Sequence, residues 1–192
     1  VHKGEALGII GRNGAGKSTL LKVVSRVLRP TSGRVWVKGV VVPLLEVGAG
    51  FHPELTGREN IYLNATLQGR SRREIDARLE AIVDFAELWN FIDSPLRTYS
   101  SGMVARLGFA VATAWEPDIL ILDEVLAVGD EDFQCKCQSR LQAFRERGTT
   151  VLLVSHSMAQ VHSYCQRAIW MEQGEVRCIG PTSEVIEAYR SG

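Results

Sequence analysis

Apolar residues along this chain alternate between short unbroken runs and a spacing of three to four residues. The first pattern marks buried strands and the second marks helix faces packed on a core. Ala6 to Ile10, "ALGII", is a compact run and predicts a strand. From Lys17 to Leu28, apolar side chains at Leu20, Leu21, Val24, Val27 and Leu28 trace one helical stripe. "RPTSG" punctuates, and "RVWVKGVVVPLL" predicts extended strand with a turn or bend at Gly39. Two Ser/Thr-x-x-Glu boxes follow, Thr56 with Glu59 and Ser71 with Glu74, each a helix start that satisfies its own first amides. Beyond the second box Ile75, Leu79, Ile82, Val83 and Ala86 share a face, and a further helix begins near Gly102 with Leu107, Ala110, Val111 and Ala114 along it.

Strands then return. "DILILDE" has four successive apolar residues closed by carboxylates, as expected of a strand covered on both sides in a parallel sheet. Phe133, Cys137, Leu141 and Phe144 give an amphipathic helix, and "TTVLLVSH" a second buried strand. "AIWMEQGEVRCI" predicts a hairpin turning on Gln-Gly, and a short helix starts near Thr182. The sum is an α/β domain with a parallel-sheet core, residues 1–55 and 117–192, interrupted by a helical insertion at 56–116.

At 192 residues one domain with a sizeable core is expected. The 22 basic and 22 acidic residues balance, so no global field favours nucleic acid or an anionic membrane. No segment approaches the roughly 20 apolar residues that cross a bilayer. The first residue is Val1 and the opening reads as the middle of a sheet region, so we expect an excerpt of a longer protein. Cys135, Cys137, Cys165 and Cys178 do not form a disulfide pattern; isolated small apolar groups in a reducing, cytoplasmic setting are expected, rather than a metal site with His162.

The first chemistry lies between the first strand and first helix. Gly11, Arg12, Asn13, Gly14, Ala15, Gly16, Lys17, Ser18 and Thr19 match the phosphate-loop pattern G-x4-G-K-[ST]. Glycines let backbone N–H groups curl around phosphate oxygens, and the following helix presents its positive end to the anion. Lys17 would reach the β- and γ-phosphates and Ser18 would ligate Mg²⁺. The second chemistry is Asp123, closing "ILIL", followed by Glu124. Ligands of an open α/β sheet sit beyond the carboxyl ends of its strands, so Asp123 is expected at the metal and Glu124 at the attacking water. Upstream phosphate loop and downstream carboxylate pair together favour hydrolysis over mere binding.

Two further stretches, "TYSSGMVARLGFAVA" before Asp123 and "LLVSHSM" after it, complete an order that resembles the nucleotide-binding subunits of ABC transporters over essentially the whole chain. The resemblance implies a P-loop NTPase (RecA-like) fold of ABC ATPase type with its N-terminal β part truncated. It puts Ser100, Ser101 and Gly102 at the signature's Ser-Gly-Gly, Met103 at its Gln, Arg106 at the arginine after it, His156 at the switch histidine and "LAVGD", ending at Asp130, at the D-loop. It also implies a homodimer across two MgATP in which the signature acts in trans, an integral membrane permease as partner, and a place on the cytoplasmic face of the inner membrane. The signature lacks its first glycine and its glutamine, and the glutamine that usually precedes the insertion is missing, which leaves Glu46 as a substitute metal ligand. "GAGFHPELTGRENIYLN", "FIDSPLRTYSSGM" and "DEVLAVGDEDFQCKC" resemble the branch that exports O-antigen, capsule or teichoic acid, with the glycan handled mainly by the membrane partner. Balanced charge and the lack of coiled-coil or zinc insertions weigh against the alternative, a non-transport ABC ATPase working on nucleic acid or ribosomes, and Glu124 with His156 weighs against a nucleotide sensor that barely turns over.

Overall fold

The computed structural model of the chain describes residues 1–44, 48–123 and 129–191. The chain forms two compact units. One comprises residues 1–45, 117–125 and 142–192, and the other 46–116 and 126–141.

The first unit is built on six strands: β1 (Ala6–Ile10), β2 (Val41–Leu44), β3 (Ile119–Asp123), β4 (Thr150–Val154), β5 (Arg167–Glu172) and β6 (Glu175–Pro181). Their order is β2-β3-β4-β1-β5-β6, all parallel except for antiparallel β6 at one edge. The continuous apolar runs of β1, β3 and β4 fall on the central strands, where both faces are covered. Pro43, which has no N–H to give a ladder, lies exposed on edge strand β2. Leu7 and Ile9 pack on one face with Leu21 of α1 (Lys17–Val24), Ile121 and Met171. Gly8 points to the other face, where an added Cβ would lie 2.4 Å from Val161 of α7 (Met158–Tyr164). That absent methyl is what lets α7 approach the sheet. The Gln-Gly hairpin turn has both central residues at positive φ, Gln173 at 49° and Gly174 at 83°, which matches the twist of the strands it joins. Helix α8 (Thr182–Ser191) closes the unit.

The structure departs from the sequence expectation in two stretches. Helix α1 stops at Val24 rather than continuing to Leu28, because Arg26 turns left-handed at φ 63° and the Leu28 N–H returns to the Lys22 carbonyl. Arg34 to Lys38 is not strand: no described strand runs beside it, and Trp36 stands 85% exposed. The bend at Gly39 is present, with φ at 110°.

The second unit is helical: α2 (Gly57–Leu67), α3 (Arg72–Asp76), α4 (Leu79–Ala86), α5 (Ser101–Ala112) and the first turns of α6 (Glu131–Glu146). Both predicted capping boxes are closed in both directions, at Thr56 with Glu59 and at Ser71 with Glu74. The face from Ile75 to Ala86 is interrupted at Ala77 and Arg78, yet Ile75, Ile82, Val83 and Ala86 stay buried in one cluster with Ile61, Leu107 and Val111. Phe85, Phe109 and Phe133 form a triangle of rings with centroids 5.4–6.3 Å apart. Cys137 is buried and Cys135 exposed, as two positions two apart on one helix must be. Among the described residues no group of three or more His, Cys, Asp or Glu could hold a metal ion, and no helix is long and apolar enough to cross a membrane.

Candidate active site

The phosphate loop sits where β1 ends. Three chain segments emerge level at that edge, because Asp123 of β3 pairs with Val154 of β4, and Val154 pairs with Ile9 of β1. Gly11 must be glycine: a Cβ there would meet the Met171 carbonyl oxygen at 2.2 Å. Gly14 and Gly16 take φ of 79° and 96°, left-handed values that curl the loop back on itself. The Ala15 N–H closes the turn on the Arg12 carbonyl, and the Gly174 N–H ties the loop to the hairpin through the Ala15 carbonyl.

Gly16 is the N-cap of α1 and has no side chain with which to cap it. The first amides of a helix have no partner within it, so at Lys17, Ser18 and Thr19 they are available to an anion. Lys17 is buried to 7% exposure, its ammonium donating to the Gly11 carbonyl at 2.7 Å and the Arg12 carbonyl at 3.1 Å. Those bonds hold a positive charge inside the curl. The Ser18 hydroxyl lies 3.5 Å from an Asp123 carboxylate oxygen, across 105 positions of sequence. Asn13 to Thr19, Asp123, Val154 and His156 line one groove of about 360 Å³. A hydroxyl beside a carboxylate is a hard-oxygen donor set that suits Mg²⁺, a cation that keeps most of its water. Glu124 and Glu46 lie outside the described residues.

In the helical unit Ser100 is the N-cap of α5, its hydroxyl accepting from the Met103 N–H at 3.2 Å. Ser100 to Met103 line a cleft of about 730 Å³ with Glu87, Leu88, Phe91, Arg106 and Asp130, among others. Arg106 donates to Glu87 at 2.8 Å and to Asp130 at 2.5 Å, with its guanidinium over the Phe133 ring. Asp130 accepts from the Phe133 N–H, and Lys136 reaches Glu87. Both carboxyls are thereby held below their ordinary range, Asp130 first by the Phe133 amide and Glu87 first by Lys136, with Arg106 adding to each.

Glu87, Phe91 and Lys136 here, and Met171 and Gly174 behind the loop, belong to these surroundings without any sequence pattern that marks them. A cation at position 106 on an otherwise apolar helix was the one signal that carboxylates had to be near.

A family model described as ABC transporter matches residues 1–127. The chain belongs to the ABC transporter family. It is 56% identical over 190 residues to the O-antigen export system ATP-binding protein RfbB of Klebsiella pneumoniae, covering 99% of this chain and 77% of that protein. It is 46% identical over 191 residues to the teichoic acids export ATP-binding protein TagH of Enterococcus faecalis, covering all of this chain and 42% of that one. A bacterial ABC transporter cassette, MJ0796, solved as a dimer superposes with a TM-score of 0.74 at 26% identity, over 95% of this chain and 87% of that one. Within this ABC cassette the groove at β1 and the Ser100 cleft are each lined by residues of a single unit.

Proposed function

We propose that this chain is the ATP-hydrolysing subunit that powers export of a cell-surface polysaccharide or lipid-linked glycan through a membrane permease, working at the cytoplasmic face of the membrane as a dimer around two MgATP. The observation that carries the reading is near-complete coverage at 56% identity by an O-antigen export ATP-binding protein, joined to a phosphate loop whose Ser18 meets Asp123.

The chemistry follows from the placed residues. Amides of the Gly11–Thr19 loop and the Lys17 ammonium bind the triphosphate and offset the charge that spreads over the γ-phosphoryl oxygens during transfer. Ser18 and Asp123 would hold Mg²⁺, which would supply positive charge to offset that of the phosphates. Glu124, the residue after Asp123, takes a proton from the attacking water as its oxygen bonds to the γ-phosphorus and the β–γ bridge breaks, releasing ADP and phosphate. His156, in the same groove, steadies that phosphoryl group. Ser100, Ser101 and Gly102 approach the second copy's γ-phosphate, and a stabilising group delivered in trans is worth about 10³–10⁵ in rate.

The test is co-expression of the full-length protein with candidate permeases, scoring surface glycan and ATPase activity for wild type and Glu124→Gln. Export and turnover must fall together in the variant. ATPase activity that responds only to RNA or DNA, with glycan export unchanged, sinks the transport reading.

A further inference from the structure

Arg106 is the sixth residue of α5, with its side chain only 17% exposed, and it joins three elements of the helical unit. One arm of the guanidinium bonds Glu87, the residue that ends α4 in a left-handed turn at φ 58°. The other bonds Asp130, whose second oxygen caps the start of α6 through the Phe133 N–H. Lys136, farther along α6, holds the other Glu87 oxygen. The two cations and two carboxylates form one continuous circuit, Asp130–Arg106–Glu87–Lys136, and its first three members border the Ser100–Gly102 turn in one cleft.

A circuit of this kind is a poor source of stability, because its three members other than Arg106 are about half exposed or more and each long side chain loses rotamer freedom. It is a good source of geometry. The guanidinium is planar and its donors are fixed in a fork, so two carboxylates held by it cannot shift independently. We propose that Arg106 is a positioning residue: it locks the Ser100–Gly102 helix end and Asp130 into one preformed surface that serves the active site of a second copy of the chain, not its own. This rests on the reading that the signature acts in trans.

Mixed dimers test it. Two differently tagged full-length chains are co-purified, one carrying Lys17→Ala, which spoils its own phosphate loop, the other Arg106→Gln. A misplacement of about 1 Å at a site can cost about 100-fold, so the Arg106→Gln homodimer should hydrolyse ATP about 10–100-fold more slowly, with ATP binding to the single chain changed less than about twofold. In the mixed dimer one composite site has an intact loop from the Arg106→Gln chain and an intact surface from the Lys17→Ala chain. Activity should therefore return to about half of wild type, a recovery that a general loss of structure could not produce.

The control pairs Lys17→Ala with Gly102→Asp, which sets a negative charge on the signature turn without a steric clash, since a Cβ at Gly102 meets only Ser100 Oγ at 3.8 Å. If the control recovers and the Arg106→Gln pair does not, Arg106 serves its own chain and the proposal is wrong while the trans reading stands. If neither recovers, the trans reading fails and takes the proposal with it. Should Arg106→Gln fold poorly, Asp130→Asn opens the same circuit from its other end while keeping a good N-cap residue, and it must give the same recovery or the proposal falls.

Discussion

Helices α1 and α5 both begin beside a glycine and a serine, and both point a positive end into a concave surface, yet they are finished in opposite ways. At α1 the N-cap is Gly16, no side chain satisfies the first amides, and a buried lysine is folded into the loop. At α5 the N-cap is Ser100, whose hydroxyl already serves the Met103 amide, and Arg106 of the same helix is committed to two carboxylates. The first end is built to be completed by an anion. The second has one amide satisfied by its own serine and offers the remaining ones on a surface shaped by side chains. Such an end is a poor host and a good visitor, which is the division of labour proposed for two cassettes closing on ATP.

The sharpest way to break this contrast is to remove chemistry from one side only. Glu124→Gln takes away the proposed base and should lower steady-state hydrolysis by about 10²–10⁴-fold while nucleotide still binds and holds the dimer together. Lys17→Ala should also abolish most turnover, but with weakened nucleotide binding and no trapped dimer. Size-exclusion with radiolabelled ATP separates the two. Equal turnover in wild type and Glu124→Gln removes that residue from the mechanism.

A second test concerns the loop's backbone rather than its charge. Gly11→Ala forces a methyl into the Met171 carbonyl, so about 3 kcal/mol of stability should be lost with the fit of loop to hairpin. Gly14→Ala meets nothing within 4 Å and carries only the cost of a left-handed residue, about 1 kcal/mol. Denaturant titration of the two variants ranks them. Equal losses would mean that the hairpin does not brace the loop.

These two glycines also mark how far the sequence could be read. Strands β1, β3 and β4, both capping boxes and the Gln-Gly hairpin are legible because each is a local device: a run, a box, a turn. The pattern G-x4-G-K-[ST] names all the loop residues at once. What it cannot show is that Gly11 is squeezed by Met171, far along the chain, while Gly14 stands in open space. The same holds in the helical unit. Ser100 was recognisable from its neighbours, but Glu87 and Lys136 are ordinary charges on their own helices and acquire meaning only when Arg106 arrives between them. The misread extension of α1 and the absent strand at Arg34 to Lys38 have the same origin, since apolar spacing reports burial only where a packing partner exists.

Smaller in its effect on stability is Ser100→Ala. It deletes the hydroxyl that caps α5 and should cost about 1 kcal/mol by denaturant titration of the full-length protein. Nucleotide affinity of the single chain should not change, because that chain's own loop is untouched. A matching loss of affinity would make the two helix ends parts of one site in one chain, and the contrast between them would dissolve.

The smallest expected effect probes the circuit around Ser100 through pH. Asp130 and Glu87 sit below their ordinary values of 3.8 and 4.5, so their contribution is fully present above those values and is lost as acid protonates them on the way to the lower folded-state values. The wild-type unfolding midpoint should thus be level from neutral pH to about 5 and fall beneath that. Other bonded carboxylates, such as Asp93 on Arg58 and the capping Glu59 and Glu74, add a decline of the same sign. Arg106→Gln leaves that background intact, and it leaves the largest supports of the two circuit carboxyls as well, the Phe133 amide and Lys136. Its curve should therefore lie lower at neutral pH and converge on the wild type in acid, by a margin that only a paired measurement resolves. Parallel curves would show that Arg106 feels neither carboxylate's charge, and a guanidinium indifferent to both could not be what holds the two in register.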